Sequence, residues 1–223
     1  APITDSMDIN VSLDSRVPSE SFRLESIGDA SSTLEMKRAD GTVTLLAIND
    51  VVTTKYVNGS IAVSVKGATS VPSFTTTSLT FKWPGNRDSG SATGGPAVLR
   101  VDGPGTDVTK GTRYRYGYVS VTPAKVSGAL ALGLQVNNIL RLHDEYLYGI
   151  GEVSSSWPAA AIQAQIIAAR SYAYKKVKSL RPACSCNVYD DPRDQSFTGY
   201  SKLAEKNGAG AKDRKSTRRN SSH

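Results

Sequence analysis

Histidine and cysteine are scarce in this sequence: two of each, His143 and His223, Cys184 and Cys186. A single internal histidine leaves a histidine-based metal centre or a Ser/His/Asp triad without support. The cysteines stand as Cys-x-Cys, a spacing at which a disulfide is geometrically demanding, while a zinc site needs about four ligands. Thiol, disulfide and metal-bound states therefore all remain open. No glycine-rich nucleotide loop is present, and no cofactor is expected. Long apolar runs are also missing: no stretch reaches the roughly 18 residues of a membrane span. The chain starts Ala-Pro-Ile-Thr and has no charged segment leading into an apolar one, so no signal peptide is read within it.

Acidic residues are few at the C-terminal end, and this distorts the net charge. Lys212, Arg214, Lys215, Arg218 and Arg219 against the one acid Asp213 supply +4 of the formal +7, leaving +3 for the rest. Residues 212–223 resemble the conceptual translation of a sequencing adapter, with Arg219 the one departure. They are read as a non-native tail, which implies a domain cut short near Ala211. With the tail set aside, charge gives no argument for nucleic acid as a partner.

Residues 1–110 read as a β-rich region. Ile9, Val11 and Leu13 alternate with polar residues, Thr42–Val52 is rich in branched residues, and Ile61, Val63 and Val65 alternate again. Val71–Phe81 and Val98–Val101 are further strands. Asn58-Gly59 between alternating runs predicts a hairpin. No catalytic constellation is visible in this half. From Tyr114 a second unit begins, taken as residues 111–211. Tyr114, Tyr116, Tyr118, Val119 and Val121 predict one strand, whose tyrosines either cover a sheet or stack on sugar rings. Leu134 to Leu140 predicts the next.

The organising stretch is Tyr146–Lys178. Gly149 and Gly151 break a short apolar segment, Glu152 follows, and then the chain's best helix signal. Ser155 or Ser156 is placed to cap it and Pro158 suits its first turn. Ile162, Ile166, Ala169, Ala173 and Val177 recur at helical spacing as one buried stripe. The expected fold class is thus α+β, a β-rich N-terminal half followed by a core built on one long helix.

The run Tyr146-x-x-Gly149, Glu152, Ser156-Trp157-Pro158, Ala161, Gln163-Ala164-Gln165, Ala168-Ala169-Arg170-Ser171-Tyr172-Ala173 resembles the core motif of the SpoIID/LytB family, the stage II sporulation protein D and amidase-enhancer proteins of the bacterial cell wall. The resemblance continues through Cys186-Asn187-Val188-Tyr189-Asp190 and Asp194–Gly199. It implies a secreted protein of the bacterial envelope that acts on peptidoglycan glycan strands as a lytic transglycosylase, with Glu152 as acid and then base. It equally implies a non-catalytic reading, in which the chain binds the wall and enhances an amidase, its second partner. Some members bind zinc through a histidine and two cysteines near this place, but no histidine lies near Cys184 and Cys186.

Glycosidic cleavage by one acid needs a proton on the leaving oxygen, so the carboxyl must hold its proton near neutrality. An apolar pocket formed by Trp157 and the glycine-bounded loop would favour that, and the helix N-terminus would oppose it. Gln165 and Tyr172 lie two turns apart on one helix face, either lining the substrate cleft or tying the helix to the loop. Tyr189 and Gln195 are the candidates for the wall opposite Glu152. Asp144, Glu145, Asp190, Asp191 and Asp194 are available as a second carboxylate, though no spacing pairs one with Glu152.

Overall fold

The computed structural model describes residues 7–27, 32–83, 97–102, 111–124, 133–143 and 145–203, except the side chains of 15, 16 and 203. The tail at 212–223 lies outside them, as does all but the first residue of Trp83–Pro96, where the lack of periodicity in the sequence predicts an exposed loop; Trp83 itself is buried. Among the described residues thirteen strands form two sheets. The larger contains β1 (Asp8–Val17), β3 (Leu34–Arg38), β4 (Val43–Leu46), β8 (Leu79–Lys82), β11 (Tyr118–Pro123), β12 (Leu134–Arg141) and β13 (Val188–Tyr189). Its spatial order is β13-β1-β12-β11-β8-β3-β4. The smaller contains β2 (Ser19–Ser26), β5 (Val51–Val57), β6 (Ser60–Lys66), β7 (Phe74–Thr76), β9 (Ala97–Asp102) and β10 (Thr112–Tyr114), ordered β10-β9-β2-β5-β6-β7. With the long helix this is an α+β protein.

Alternation of apolar and polar residues builds both sheets. In β2, Glu20, Phe22 and Leu24 are buried while their neighbours are partly exposed. Phe22 meets Phe81 of the other sheet with ring centroids 4.7 Å apart, and Trp83 is fully enclosed in the same core. Asn58 and Gly59 take φ of 47° and 81°, the left-handed pair that a two-residue hairpin needs, and join β5 to β6 as the sequence predicts.

Three runs expected as single strands are divided. Thr42–Val52 splits into β4 and β5, in different sheets, about a turn where Asn49 has φ of 71°. Asp50 is fully buried there, its carboxylate accepting from the N–H groups of Ala47, Ala68 and Thr69. Val71–Phe81 splits into β7 and β8, again in different sheets. The tyrosine ladder breaks at Gly117, whose φ is 63° and where a Cβ would stand 1.8 Å from the carbonyl oxygen of Ile139. Only a residue without a side chain admits that approach. Tyr114 and Tyr116 are buried as a result, so they cover the core and are not a sugar-stacking face.

The boundary expected near residue 110 does not divide the sheets. β1 pairs antiparallel with β12, from Asp8↔Arg141 to Val17↔Leu134, and parallel with β13. β10 pairs with β9 across the same boundary. The helix α1 (Ala159–Lys176) buries Ile162, Ile166, Ala169 and Ala173 of the predicted stripe, while Val177 caps its end and is half-buried. Its start differs from expectation: Pro158 itself is the cap, its carbonyl accepting from Ala161 and Ile162 N–H, and neither Ser155 nor Ser156 caps. Ser155 is buried instead, and Ser154 Oγ accepts from the N–H of Ser156. A proline at the cap fixes the extended entry of the chain, so no hydroxyl is needed to set it. Among the described residues no helix is long and apolar enough to cross a membrane.

Candidate active site

Between β12 and α1 the chain makes a 3₁₀ turn, Tyr146–Gly149, whose residues are all buried. The loop after it runs antiparallel to Ser196–Thr198. Ile150 bridges Phe197, Gly151 N–H donates to the Ser196 carbonyl at 2.8 Å, and Thr198 N–H donates to that of Gly149 at 2.8 Å. The N–H of Ser196 donates to Oε1 of Glu152. Gly149 is there for space: a Cβ would meet the ring of Phe197 at 2.3 Å. That ring stacks on Tyr146 with centroids 5.2 Å apart. From the other side Lys202 Nζ, on α2 (Tyr200–Leu203), donates to the Val153 carbonyl at 2.8 Å. Glu152 is therefore an exposed carboxylate on a loop held by backbone bonds before it and after it.

Two polar contacts lie behind this loop. Tyr146 Oη donates to Gln195 Oε1 at 3.0 Å, with both residues buried. Burial, with the charge of Asp194 adding to it, pushes the Tyr146 phenol far up, so it remains a donor at any physiological pH. The second contact centres on Asp194, whose side chain has no exposed surface. Its oxygens accept from Tyr172 Oη at 2.6 Å, from Arg181 Nη1 and Nη2 at 2.5 and 2.7 Å, and from Tyr189 N–H at 2.9 Å; Lys176 Nζ lies 3.6 Å away. Burial alone would raise this carboxyl, but the hydrogen bonds from Arg181, Tyr172 and Tyr189 and the Arg181 charge hold it below the usual carboxylate value. Two guanidiniums approach the ring of Tyr189, Arg193 at 3.7 Å and Arg181 at 4.9 Å from its centroid.

The residues expected from sequence thus fall into three groups. Glu152 and Gln195 come together through the paired backbones of their loops. Tyr172 and Tyr189 meet at Asp194. Trp157 is 53% exposed at the start of the helix, and Gln165 is half-buried along it. The apolar enclosure expected around Glu152 is not what surrounds it, since both Glu152 and Trp157 stand in solvent. Gln195 is a buried partner of Tyr146, beneath the loop.

Two features escaped the sequence reading. Arg181 lies in a connection without periodicity, and only its pairing with Asp194 across the fold gives it meaning. Asp190 is raised to about 7, first by burial and then by the charges of Asp14 and Asp191. Nothing in the run Asp190-Asp191 distinguishes the two acids, yet Asp191 is held low by Arg193, 2.6 Å away. The two cysteines form a disulfide, Cys184–Cys186, closing one alternative and excluding the other two. Among the described residues no group of His, Cys, Asp or Glu is arranged to hold a metal ion.

Residues 133–220 match the family model SpoIID, Stage II sporulation protein. No curated protein and no solved structure matches the chain.

Proposed function

We propose, for a chain whose residues 133–220 belong to the SpoIID family and give it a cell-wall-related role, that it cleaves peptidoglycan glycan strands as a lytic transglycosylase. Glu152, protonated, gives its proton to the bridging oxygen as the bond from that oxygen to C1 breaks. The resulting carboxylate then takes the proton of the substrate's own C6 hydroxyl, whose oxygen bonds to C1. The product is a 1,6-anhydro end, no water is consumed, and Glu152 ends as it began. Trp157, Gln165, Tyr172, Tyr189 and Gln195 are assigned to the cleft and its supports.

The observation that carries this reading is the anchoring of Glu152. Its carboxylate is open to a polymer yet fixed in place by the Ser196 N–H, where the two family motifs adjoin. The neighbouring acids are otherwise engaged, Asp194 with Arg181 and Asp191 with Arg193. One acid that serves twice fits this arrangement better than a pair. A second reading rests on the exposure of Glu152 and Trp157: a solvent-facing surface of this kind binds glycan and enhances a separate amidase.

Purified glycan strands incubated with the protein and analysed by mass spectrometry test both. Wild type is expected to give 1,6-anhydro ends and Glu152→Gln none. Wild-type yields from Glu152→Gln would remove Glu152 from the chemistry. Plain reducing ends would bring in water and a second carboxyl, for which Asp190 is the candidate. No cleavage, with a faster amidase in the same mixture, would establish the second reading.

A further inference from the structure

Ser196 grips Glu152 through its backbone N–H, so its own side chain does not aim that bond. A peptide N–H is rigid with the carbonyl before it, and here that carbonyl belongs to Gln195. The direction of the bond is therefore set by what holds Gln195 and the residues around it.

Most of this segment is fixed by several partners. The Asp194 side chain is bound by Arg181 and Tyr172. The Ser196 carbonyl accepts from Gly151 N–H at 2.8 Å, and Phe197 N–H donates to the Asp190 carbonyl at 2.9 Å. Gln195 differs. Among the described residues it makes no backbone hydrogen bond, and its side chain makes one, from Tyr146 Oη to Oε1 at 3.0 Å. The freedom left between the fixed points is thus a rotation of the peptide plane joining Gln195 to Ser196. That plane carries the N–H that meets Glu152.

Tyr146 is well placed to stop the rotation. It is fully buried at the head of the turn that leads into the Glu152 loop. Its ring stacks on Phe197, just beyond Ser196, with centroids 5.2 Å apart, and its hydroxyl holds Gln195, just before Ser196. One side chain from the acid's own segment therefore touches both neighbours of the group that grips the acid. Without the hydroxyl, Gln195 Oε1 is a buried acceptor with no donor, and turning to find one would carry the Ser196 N–H with it.

We propose that Tyr146 is a positioning residue for Glu152, its hydroxyl acting through Gln195 to aim the Ser196 N–H at the carboxylate. The kinetic consequence rests on Glu152 being the acid of the lytic reaction proposed above; the aiming of the N–H does not.

Tyr146→Phe removes the hydroxyl and keeps the ring on Phe197. In NMR spectra of the isotope-labelled full chain at pH 7, its Ser196 amide proton is expected to move in the direction that Glu152→Gln defines. The Gly151 and Thr198 amides, which bridge the same two segments, should stay in place. In glycan cleavage, kcat should fall about tenfold or more while KM changes by less than about twofold, because the acid is misplaced and the cleft is not. Gln195→Met, close in length but without the acceptor, should reproduce both effects, and it carries the test if Tyr146→Phe fails to fold. The double variant should be no worse than either single one, since both act through one bond. The proposal is overturned by an unmoved Ser196 amide, by shifts of equal size at Gly151 and Thr198, or by losses that add in the double variant. The amide shift is read without any cleavage, so a wild type that cuts no glycan would end the lytic reading and leave this one standing.

Discussion

Asp194→Ala is expected to be about 3 kcal/mol less stable than wild type in urea at neutral pH, a large part of a typical 5–15 kcal/mol. The carboxylate gathers Tyr172 from α1, Arg181 from the segment after it and the backbone of Tyr189 in β13. Its removal strands all three at once. The figure is set at the low end for a broken buried pair, because the Arg181 side chain is 31% exposed and regains some water. Asp194→Asn should lose less, since it keeps one oxygen for Tyr172 and Arg181 Nη2, although its NH2 then faces the Arg181 Nη1 and Tyr189 N–H donors. The sign with pH is fixed by the lowered value of Asp194. Its contribution is present above the unfolded carboxylate value of about 3.8 and is lost as pH falls through the folded one. The gap between wild type and Asp194→Ala should therefore close in acid. Equal urea midpoints at pH 7 would show that Arg181 and Tyr172 are satisfied by solvent.

The second large effect has the opposite sign. Glu20 is fully buried next to the point where the chain leaves one sheet for the other, and burial raises its carboxyl to about 9, with Asp14 adding to the shift by hydrogen bond and charge. Asp14 is itself raised by burial, and Asp102 on β9 adds negative charge to both. A carboxyl that binds its proton more tightly when folded stabilises the protein fully below its unfolded value and loses that contribution as pH rises through the folded value. Stability should thus fall from about pH 4.5 to about 9, with a slope of up to about 1.4 kcal/mol per pH unit for each proton. Asp190, raised to about 7, adds a loss of the same sign below that pH only. Glu20→Gln should consequently flatten the profile between pH 7 and 9 while leaving a slope beneath it. Urea midpoints at half-unit intervals read this directly. A wild-type profile that is level or rising from pH 7 to 9 would mean that Glu20 folds already ionised.

How much of this was legible in the sequence depends on whether the signal is local. The helix declared itself because Ile162, Ile166, Ala169 and Ala173 carry their period within one segment. The Asn58-Gly59 hairpin did so because two adjacent residues supply both left-handed φ values. A change of sheet leaves no such trace. The run around Asp50 alternates on either side of the turn, and only the buried carboxylate and its three N–H partners mark where one sheet ends. The site divides in the same way. The Glu152 segment was recognisable, but its geometry depends on Ser196 and Lys202, each more than forty residues away. Trp157 was expected to shelter Glu152 because it is near in sequence; the helix cap at Pro158 leaves it in solvent instead. Asp190 and Asp191 are indistinguishable as letters, and the fold buries one and pairs the other.

The strand β1 imposes an order on synthesis. It leaves the ribosome well before its partners Leu134–Arg141, which are made more than a hundred residues later. In that interval β2, β5 and β6 can pair with one another, as antiparallel neighbours close in the chain. The first strand waits with both edges open, an interval in which non-local sheets are prone to aggregate. Two edges are satisfied late, by β12 and then by β13. The strand β1 is thus enclosed late, and the segment bearing Glu152 is set in place only when elements far apart in the described chain have met.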